Sequence, residues 1–233
     1  MTRTTLALLL LTCTLLGIPA LAAESTIPKN PEDRAAYAVG VNIGRNLHRT
    51  GATLNIDMIA QGIRDVLASH PLALSDDDLK AAMAVFQGEI RKKAEETRKA
   101  LGEKNQKEGE AFLKQNTTRP GVVVLPDGLQ YKILTEGKGK TPVDTDSVVV
   151  NYRGTLLDGK EFDSSYKRGQ PATLALNSVI PGWREALKLM PIGSKWQLFV
   201  PPALAYGERG AGPQIGPDAT LIFEVELLKI AGK

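Results

Sequence analysis

The hydrophobic period of this chain changes near residue 118, and one regular structure cannot run through that change. Before it, apolar residues recur every three or four positions, the period of an amphipathic helix. After it they alternate, the period of a strand with one buried face. The chain therefore reads as a helical segment joined to a sheet-based domain.

The helical segment has two parts. Residues 32–74 carry Ala36, Val39, Ile43 and Leu47 on one stripe, with Gly40 and Gly44 beside them. A second stripe, Ile59, Ile63, Val66 and Leu67, follows Asp57, a residue suited to cap a helix. Short helices with narrow stripes depend on packing for stability, so these read as one half of a shared core. Ser75-Asp76-Asp77-Asp78 then opens a third helix, the serine as cap and the acids at the positive end of the dipole. Leu79, Met83, Phe86 and Ile90 form its stripe, which thins past Arg91 to Ala94, Leu101 and Phe112. A helix of about 40 residues would be roughly 60 Å long, and one polar most of the way round suits a solvated spacer. Gly88, Gly102 and Gly109 each weaken it by about 1 kcal/mol relative to alanine. The segment reads as a long connecting helix, straight or bent, with a disordered linker as the alternative.

From Thr118 the punctuation is that of strands and turns. Arg119-Pro120-Gly121, Pro126-Asp127-Gly128 and Asp158-Gly159 are turn signals. Leu129, Tyr131 and Ile133 alternate, as do Val148, Val150 and Tyr152; Trp196, Leu198 and Val200; and Leu221, Phe223, Val225 and Leu227. One short helical pattern, Trp183, Leu187 and Met190, is entered at Pro181-Gly182 and stopped by Pro191. The expected fold class is α+β: a curved antiparallel sheet wrapped around one short helix, preceded by an all-α domain and a long connecting helix. The expected boundaries are 24–74, 75–117 and 118–233.

Residues 1–23 read as a cleaved export signal. Arg3 supplies the positive start, residues 6–16 are a nearly unbroken apolar run, and Ala20-Leu21-Ala22 offers the spacing a signal peptidase reads. A buried N-terminal strand or an uncleaved anchor is the alternative. The run is short for a bilayer, and no second run of about 18 apolar residues follows, so no membrane span is expected. The single cysteine, Cys13, lies in that run, and Thr12 before it is large for a lipoprotein site. Removal of the signal would leave no thiol and no disulfide framework. The expected location is the periplasm, with outer-membrane association or release beyond it as further destinations. The formal charge of +3, with lysines interspersed among acids, lacks the concentrated basic patch of a nucleic-acid binder.

The common catalytic constellations are missing from the sequence. His48 and His70 both lie in the helical region, and no spacing suits a metal site, a nucleophile elbow or a phosphate loop. An enzyme built on the sheet domain would work without metal, thiol, imidazole or cofactor. Aromatic residues make up only 5% of the chain, so their placement carries information. Tyr152, Phe162, Trp183, Tyr206 and Phe223 all fall in the sheet domain. Core packing accounts for them as well as a binding pocket does.

Five blocks go further. Val150-Asn151-Tyr152-Arg153-Gly154, Glu161-Phe162-Asp163-Ser164-Ser165, Val179-Ile180-Pro181-Gly182-Trp183, Leu204-Ala205-Tyr206-Gly207, and the run from Ala219 to Leu227 stand in that order. Together they resemble the FKBP family of peptidyl-prolyl cis-trans isomerases, over the region from about Gly128 to Lys233. The helices before them, with Tyr37-Ala38-Val39-Gly40-Val41, resemble the N-terminal domain of its Mip-like exported branch. The resemblance implies a shallow apolar pocket with Trp183 as floor and Tyr152, Phe162 and Phe223 as walls. Val179 and Ile180 would run along one side, and Ile215 would also touch substrate. Tyr206 would offer its hydroxyl, Ile180 its backbone N–H, and Asp163 would stand at the rim. Phe162, Asp163 and Tyr206 would be the catalytic set.

The implied partners are unfolded or partly folded proteins containing Xaa-Pro bonds, a second copy of the chain through the N-terminal helices, and macrolide inhibitors. Ala172 stands where many relatives carry a pocket aromatic, and Ala211 and Gln214 replace bulkier groups in the loop 208–217. These departures leave macrolide affinity and the preference of one wall open. A holding chaperone and a prolyl-peptide binding module with little turnover are the competing functions.

Overall fold

The computed structural model describes residues 27–232, so the export-signal reading of residues 1–23 lies outside the described part. The chain divides between Thr53 and Leu54 into two units. Helix α1, Pro31–Thr50, belongs to the first. Asn30 caps it by accepting the Asp33 N–H at 2.7 Å, and Gly51 ends it in the left-handed conformation, φ 64°.

The second unit begins with α2, Ile56–Leu67. Its cap is Asn55, which accepts from the N–H groups of Asp57 and Met58, rather than Asp57 as the sequence suggested. Asp57 instead sits inside the first turn, where its charge meets the positive end of the dipole. Neither α1 nor α2 contains a buried residue.

Helix α3, Asp76–Asn116, is continuous over 41 residues, which settles the choice between helix and disordered linker. Ser75 opens it, accepting the Asp78 N–H at 3.2 Å and donating its hydroxyl to the Asp78 carboxylate at 2.7 Å. The solvated-spacer reading fails in the C-terminal part. Gly102, Gly109 and Asn116 are buried there, against the sheet domain. A Cβ on Gly109 would come within 2.3 Å of Thr220 Oγ1, so the helix approaches this closely only because the side chain is absent. Phe112 packs on Phe199 with ring centroids 5.8 Å apart. At the helix end Asn116 Nδ2 donates to Gln130 Oε1 at 2.9 Å, and Gln130 Nε2 donates to the Leu113 carbonyl at 3.0 Å.

The sheet contains β1 (Val122–Val124), β2 (Gln130–Thr135), β3 (Ser147–Thr155), β4 (Glu161–Ser164), β5 (Ala172–Ala175), β6 (Lys195–Val200) and β7 (Leu221–Ile230). All pairings are antiparallel, in the order β1-β2-β6-β7-β3, with β5 and then β4 sharing the outer edge of β3. The four longer strands are those the alternation predicts. The three short ones, β1, β4 and β5, are too brief for a period to show.

Register irregularities fall at Val149/Val150 and Gly154/Thr155 on β3 and at Ile133/Thr135 on β2. Such bulges bend and twist a sheet. Helix α4, Pro181–Leu189, packs into the sheet's core with Trp183, Ala186 and Leu187 buried. Pro181 at its first turn presets the helical φ and gives up no needed donor. Opposite lie Val148, Val150, Leu198, Val225 and Leu227, all fully buried. Each contributes about 1.5–3 kcal/mol of transfer free energy.

Candidate active site

One end of this core is left open. A cavity of about 250 Å³ is lined by Tyr152, Phe162, Asp163, Leu174, Ser178, Val179, Ile180, Trp183, Tyr206 and Phe223. Strand β3 delivers Tyr152, β4 delivers Phe162 and Asp163, and β7 delivers Phe223. Val179 and Ile180 form the short link between a 3-10 turn, Leu176–Ser178, and α4. Trp183, in the first turn of α4, is 4% exposed, so its ring belongs to the core and to the cavity floor at once.

The rings meet edge to face. Trp183 lies 5.1 Å from Tyr152 at 89° and 5.2 Å from Phe223 at 84°, and Phe162 lies 5.6 Å from Phe223 at 88°. This geometry sets the positive edge of one ring on the negative face of the next. Gly154 makes it sterically feasible. A Cβ there would come within 2.7 Å of Phe162 and 2.8 Å of Phe223. The cavity is thus an apolar cup whose walls brace one another.

Its polar groups divide into engaged and free. Tyr152 donates its hydroxyl to Asp163 Oδ2 at 2.5 Å and accepts from Arg168 Nη2 at 2.7 Å. Arg168 Nη1 also bonds Asp163 Oδ1, which accepts the Ser164 N–H at 2.8 Å. The guanidinium carbon lies 5.2 Å from the Tyr152 ring centroid. Partial burial works against the Asp163 charge, but the bonds from Tyr152 and Arg168 outweigh it and hold the carboxyl below its ordinary value. Burial, with the bond to Asp163, pushes the Tyr152 phenol up. Burial first, then the Asp163 charge, does the same for Tyr206. Both phenols therefore stay protonated donors at neutral pH. Among the described residues, neither the Tyr206 hydroxyl nor the Ile180 N–H has a hydrogen-bond partner.

The structure brings together eight of the nine residues named from the sequence: Tyr152, Phe162, Asp163, Val179, Ile180, Trp183, Tyr206 and Phe223. Ile215 does not line the cavity; it is 8% exposed and packs into the core behind it. Among the described residues no group of three His, Cys, Asp or Glu is placed to hold a metal.

The profile of the family described as FKBP-type peptidyl-prolyl cis-trans isomerase matches residues 138–228. That of the domain amino terminal to FKBP-type peptidyl-prolyl isomerase matches residues 32–133. The chain is 44% identical over 211 residues to the outer membrane protein MIP of Legionella longbeachae, covering 90% of each. It belongs to the FKBP-type peptidyl-prolyl cis-trans isomerases. Over 219 residues it is 40% identical to the peptidyl-prolyl cis-trans isomerase Mip of Coxiella burnetii, covering 94% of each. The crystal structure of FkpA from Escherichia coli is similar, with a TM-score of 0.69 and 38% identity over 87% of this chain and 97% of that one.

Three residues at this cavity escaped the sequence reading. Leu174 and Ser178 line it, and Arg168 bonds two of its walls. Leu174 stands two residues beyond Ala172 on β5, on the same strand face, and lines the cavity where Ala172 does not. Arg168 sits in the turn after β4, where no period marks it; a basic residue following the Phe162-Asp163 pair is the one available signal.

Proposed function

We propose that this isomerase accelerates Xaa-Pro rotation during the folding of exported proteins, by desolvating the amide in the aromatic cup and holding its twisted form. The uncatalysed barrier of about 18–20 kcal/mol comes from amide resonance. In the twisted state conjugation is lost and the carbonyl becomes less dipolar. An apolar wall therefore favours the twisted form over the planar one, and that difference in binding is what lowers a barrier. The proline ring sits over Trp183, between Tyr152, Phe162 and Phe223. The carbonyl takes its hydrogen bond from Tyr206 or the Ile180 N–H.

The observation that carries this reading is the pairing of an aromatic cup with two unengaged donors at its rim. Asp163 has a different part. Its carboxylate is occupied by Tyr152 and Arg168, so it holds a wall in place rather than meeting the reacting amide. The test is isomerisation of a short Xaa-Pro peptide by the intact protein and by Tyr206→Ala and Phe162→Ala. Each variant should lose about tenfold or more in kcat/KM with its fold intact. Full activity in both folded variants would sink the cavity assignment. Trp183→Ala is a poor probe, because it would also cost about 3–5 kcal/mol of core stability.

A second reading concerns the helices. Tyr37 and Val39 on α1, and Met58, Val66 and Leu67 on α2, are all more than half exposed, with Leu67 at 82%. So much unburied apolar surface on helices with no buried residue favours a homodimer through residues 24–74, joined by the helix over 75–117 to an isomerase domain over 118–233. Two cavities in one dimer would capture unfolded clients more strongly if both engage one chain. Cleavage of the N-terminal signal and residence in the periplasm, free or at the outer membrane, complete the proposal. Among the described residues no helix is long and apolar enough to cross a membrane. Macrolide binding in the same cup is tested by titrating such a compound against tryptophan fluorescence in a Trp196→Phe protein, where Trp183 is the emitter.

A further inference from the structure

Among the described residues, the loop after Tyr206 pairs with no named strand. Residues 207–218 are closed at the base by the Asp218 N–H, which donates to the Gly207 carbonyl at 2.9 Å. Gly210 N–H donates to the Tyr206 carbonyl at 3.2 Å, and Ala211 and Ile215 exchange two bonds across the middle. Asp218 holds a left-handed φ of 52°, a conformation a non-glycine residue keeps only under local constraint.

The outer side of this loop is gripped by α3. Arg98 Nη2 donates to the Glu208 carbonyl at 2.8 Å, and Asn105 Nδ2 donates to the Pro217 carbonyl at 2.7 Å. A Cβ on Gly216 would meet Leu101 at 3.0 Å, and one on Gly102 would meet Asp218 Oδ2 at 3.1 Å. Beyond the loop, Gly109 lies against Thr220. Positions 98, 102, 105 and 109 follow one another at spacings of four, three and four, which is one face of a helix. The face is matched to the loop by the absence of side chains at two positions and by amide and guanidinium donors at the other two. Both ends of the loop are reached: Glu208 is two residues from Tyr206, and Asp218 bonds the residue beside it.

We propose that α3 is part of the catalytic unit, with Arg98, Gly102 and Asn105 as positioning residues that fix the loop presenting Tyr206, and Gly109 as the position that lets the helix lie close enough for them to reach it. This rests on the isomerase reading of the cavity. The Tyr206 hydroxyl has no bond of its own to orient it, and the residue is 40% exposed, so its placement comes from the backbone on either side. A catalytic group displaced by about 1 Å can cost up to a hundredfold in rate. Loosening the loop, which leaves its mean position in place, costs less.

The test uses the full-length protein with Asn105→Asp, Gly109→Ala and the double variant Gly109→Ala/Thr220→Ala. Asn105→Asp keeps the shape but replaces the donor with a charge facing a carbonyl. The double variant removes the Oγ1 that the new Cβ would strike, leaving Thr220 Cβ at 3.3 Å as the nearest atom. Isomerisation of an Xaa-Pro peptide is measured where every variant is fully folded, together with amide hydrogen exchange. Asn105→Asp and Gly109→Ala should lower kcat about three- to tenfold with KM within about twofold. Amides of Gly210, Ala211, Ile215 and Asp218 should exchange about tenfold faster, while those of β7 keep their protection. The double variant should recover the rate to within about twofold.

Unchanged kcat and unchanged loop exchange in an active protein would overturn this inference alone. So would a loss of rate accompanied by equal loss of protection in β7, which marks general destabilisation. An intact protein that leaves the peptide rate unaltered would instead overturn the isomerase reading, and the inference with it.

Discussion

Along α3 the most exposed apolar side chains and the fully buried positions lie in different halves. Leu79, Met83 and Val85, in the first part, are exposed. The buried positions, Gly102, Gly109 and Asn116, are in the last part, which is rich in charge. In the second half the helix meets the sheet domain through close backbone approach and directed hydrogen bonds, with Leu101 against Gly216 and Phe112 on Phe199 as apolar contacts. In the first half Leu79 and Met83 of the apolar stripe stand exposed within their own unit, while Phe86 and Ile90 are half-buried. Packing inside a chain need not follow the hydrophobic stripe. A stripe that intramolecular packing leaves exposed is surface available for association.

The largest effect expected from this contrast lies in the first half. Met83→Asp on α3, combined with Val66→Asp on α2 inside the proposed dimer region, should raise the dissociation constant of the proposed dimer by about a hundredfold or more, read by sedimentation. A wild-type protein that sediments as a monomer at micromolar concentration would break the comparison, because the exposed stripe would then have no partner.

The next effect lies in the second half. Asn116→Ala removes the donor to Gln130 Oε1 in a buried pair. It should cost about 1–2 kcal/mol and lower the melting temperature by about 2–6 °C, with the sedimentation coefficient unchanged. A melting temperature equal to wild type would mean that the helix end is not anchored as the contacts imply.

A third experiment separates the cavity from both halves. If Asp163 acts only by holding Tyr152, then Tyr152→Phe, Asp163→Ala and their combination should lower kcat/KM by similar amounts, about three- to tenfold each. Additive losses would give Asp163 a role of its own at the amide. Because its folded pKa is depressed, any stability it contributes is present above the ordinary aspartate range and lost only as pH falls through the lower folded value.

The smallest effect concerns Glu185 on α4. Hydrogen bonding with the Asp127 carboxyl, then burial, raises its pKa from 4.5 to about 7. The folded state therefore binds more protons than the unfolded chain between those values, so stability declines as pH rises through that window. Glu185→Gln should flatten the slope and raise the melting temperature at pH 8 by about 1–3 °C, screening at the half-exposed site keeping the gain small. An unaltered slope would show that the two carboxyls do not share a proton.

These regions differ equally in how far the sequence discloses them. The long strands and α4 were legible because each presents a period over enough residues, as Val148, Val150 and Tyr152 do on β3. Three- and four-residue strands such as Val122–Val124 carry no readable period. The cup was legible from its aromatic blocks, whereas Arg168, in a turn, and Leu174, on a four-residue strand, were not. Ile215 came from the resemblance alone, and in the structure it packs into the core without lining the cavity. The packed face of α3 has the regular positions 98, 102, 105, 109, 112 and 116. Its residues are Arg, Gly, Asn, Gly, Phe and Asn, so a search for apolar stripes passes over it. Of the glycines that weaken a free helix, Gly102 and Gly109 were there for contact.

The most direct test of this division of labour is the isomerisation rate of a short Xaa-Pro peptide with the Val66→Asp/Met83→Asp protein, at a concentration where it sediments as a monomer. The expected result is a kcat/KM per chain equal to wild type, because cavity, loop and clamp all lie within the unit that begins at Leu54. A rate that falls in step with dissociation, in a protein whose sheet domain keeps its circular dichroism, would contradict the account and make the dimer part of the active site.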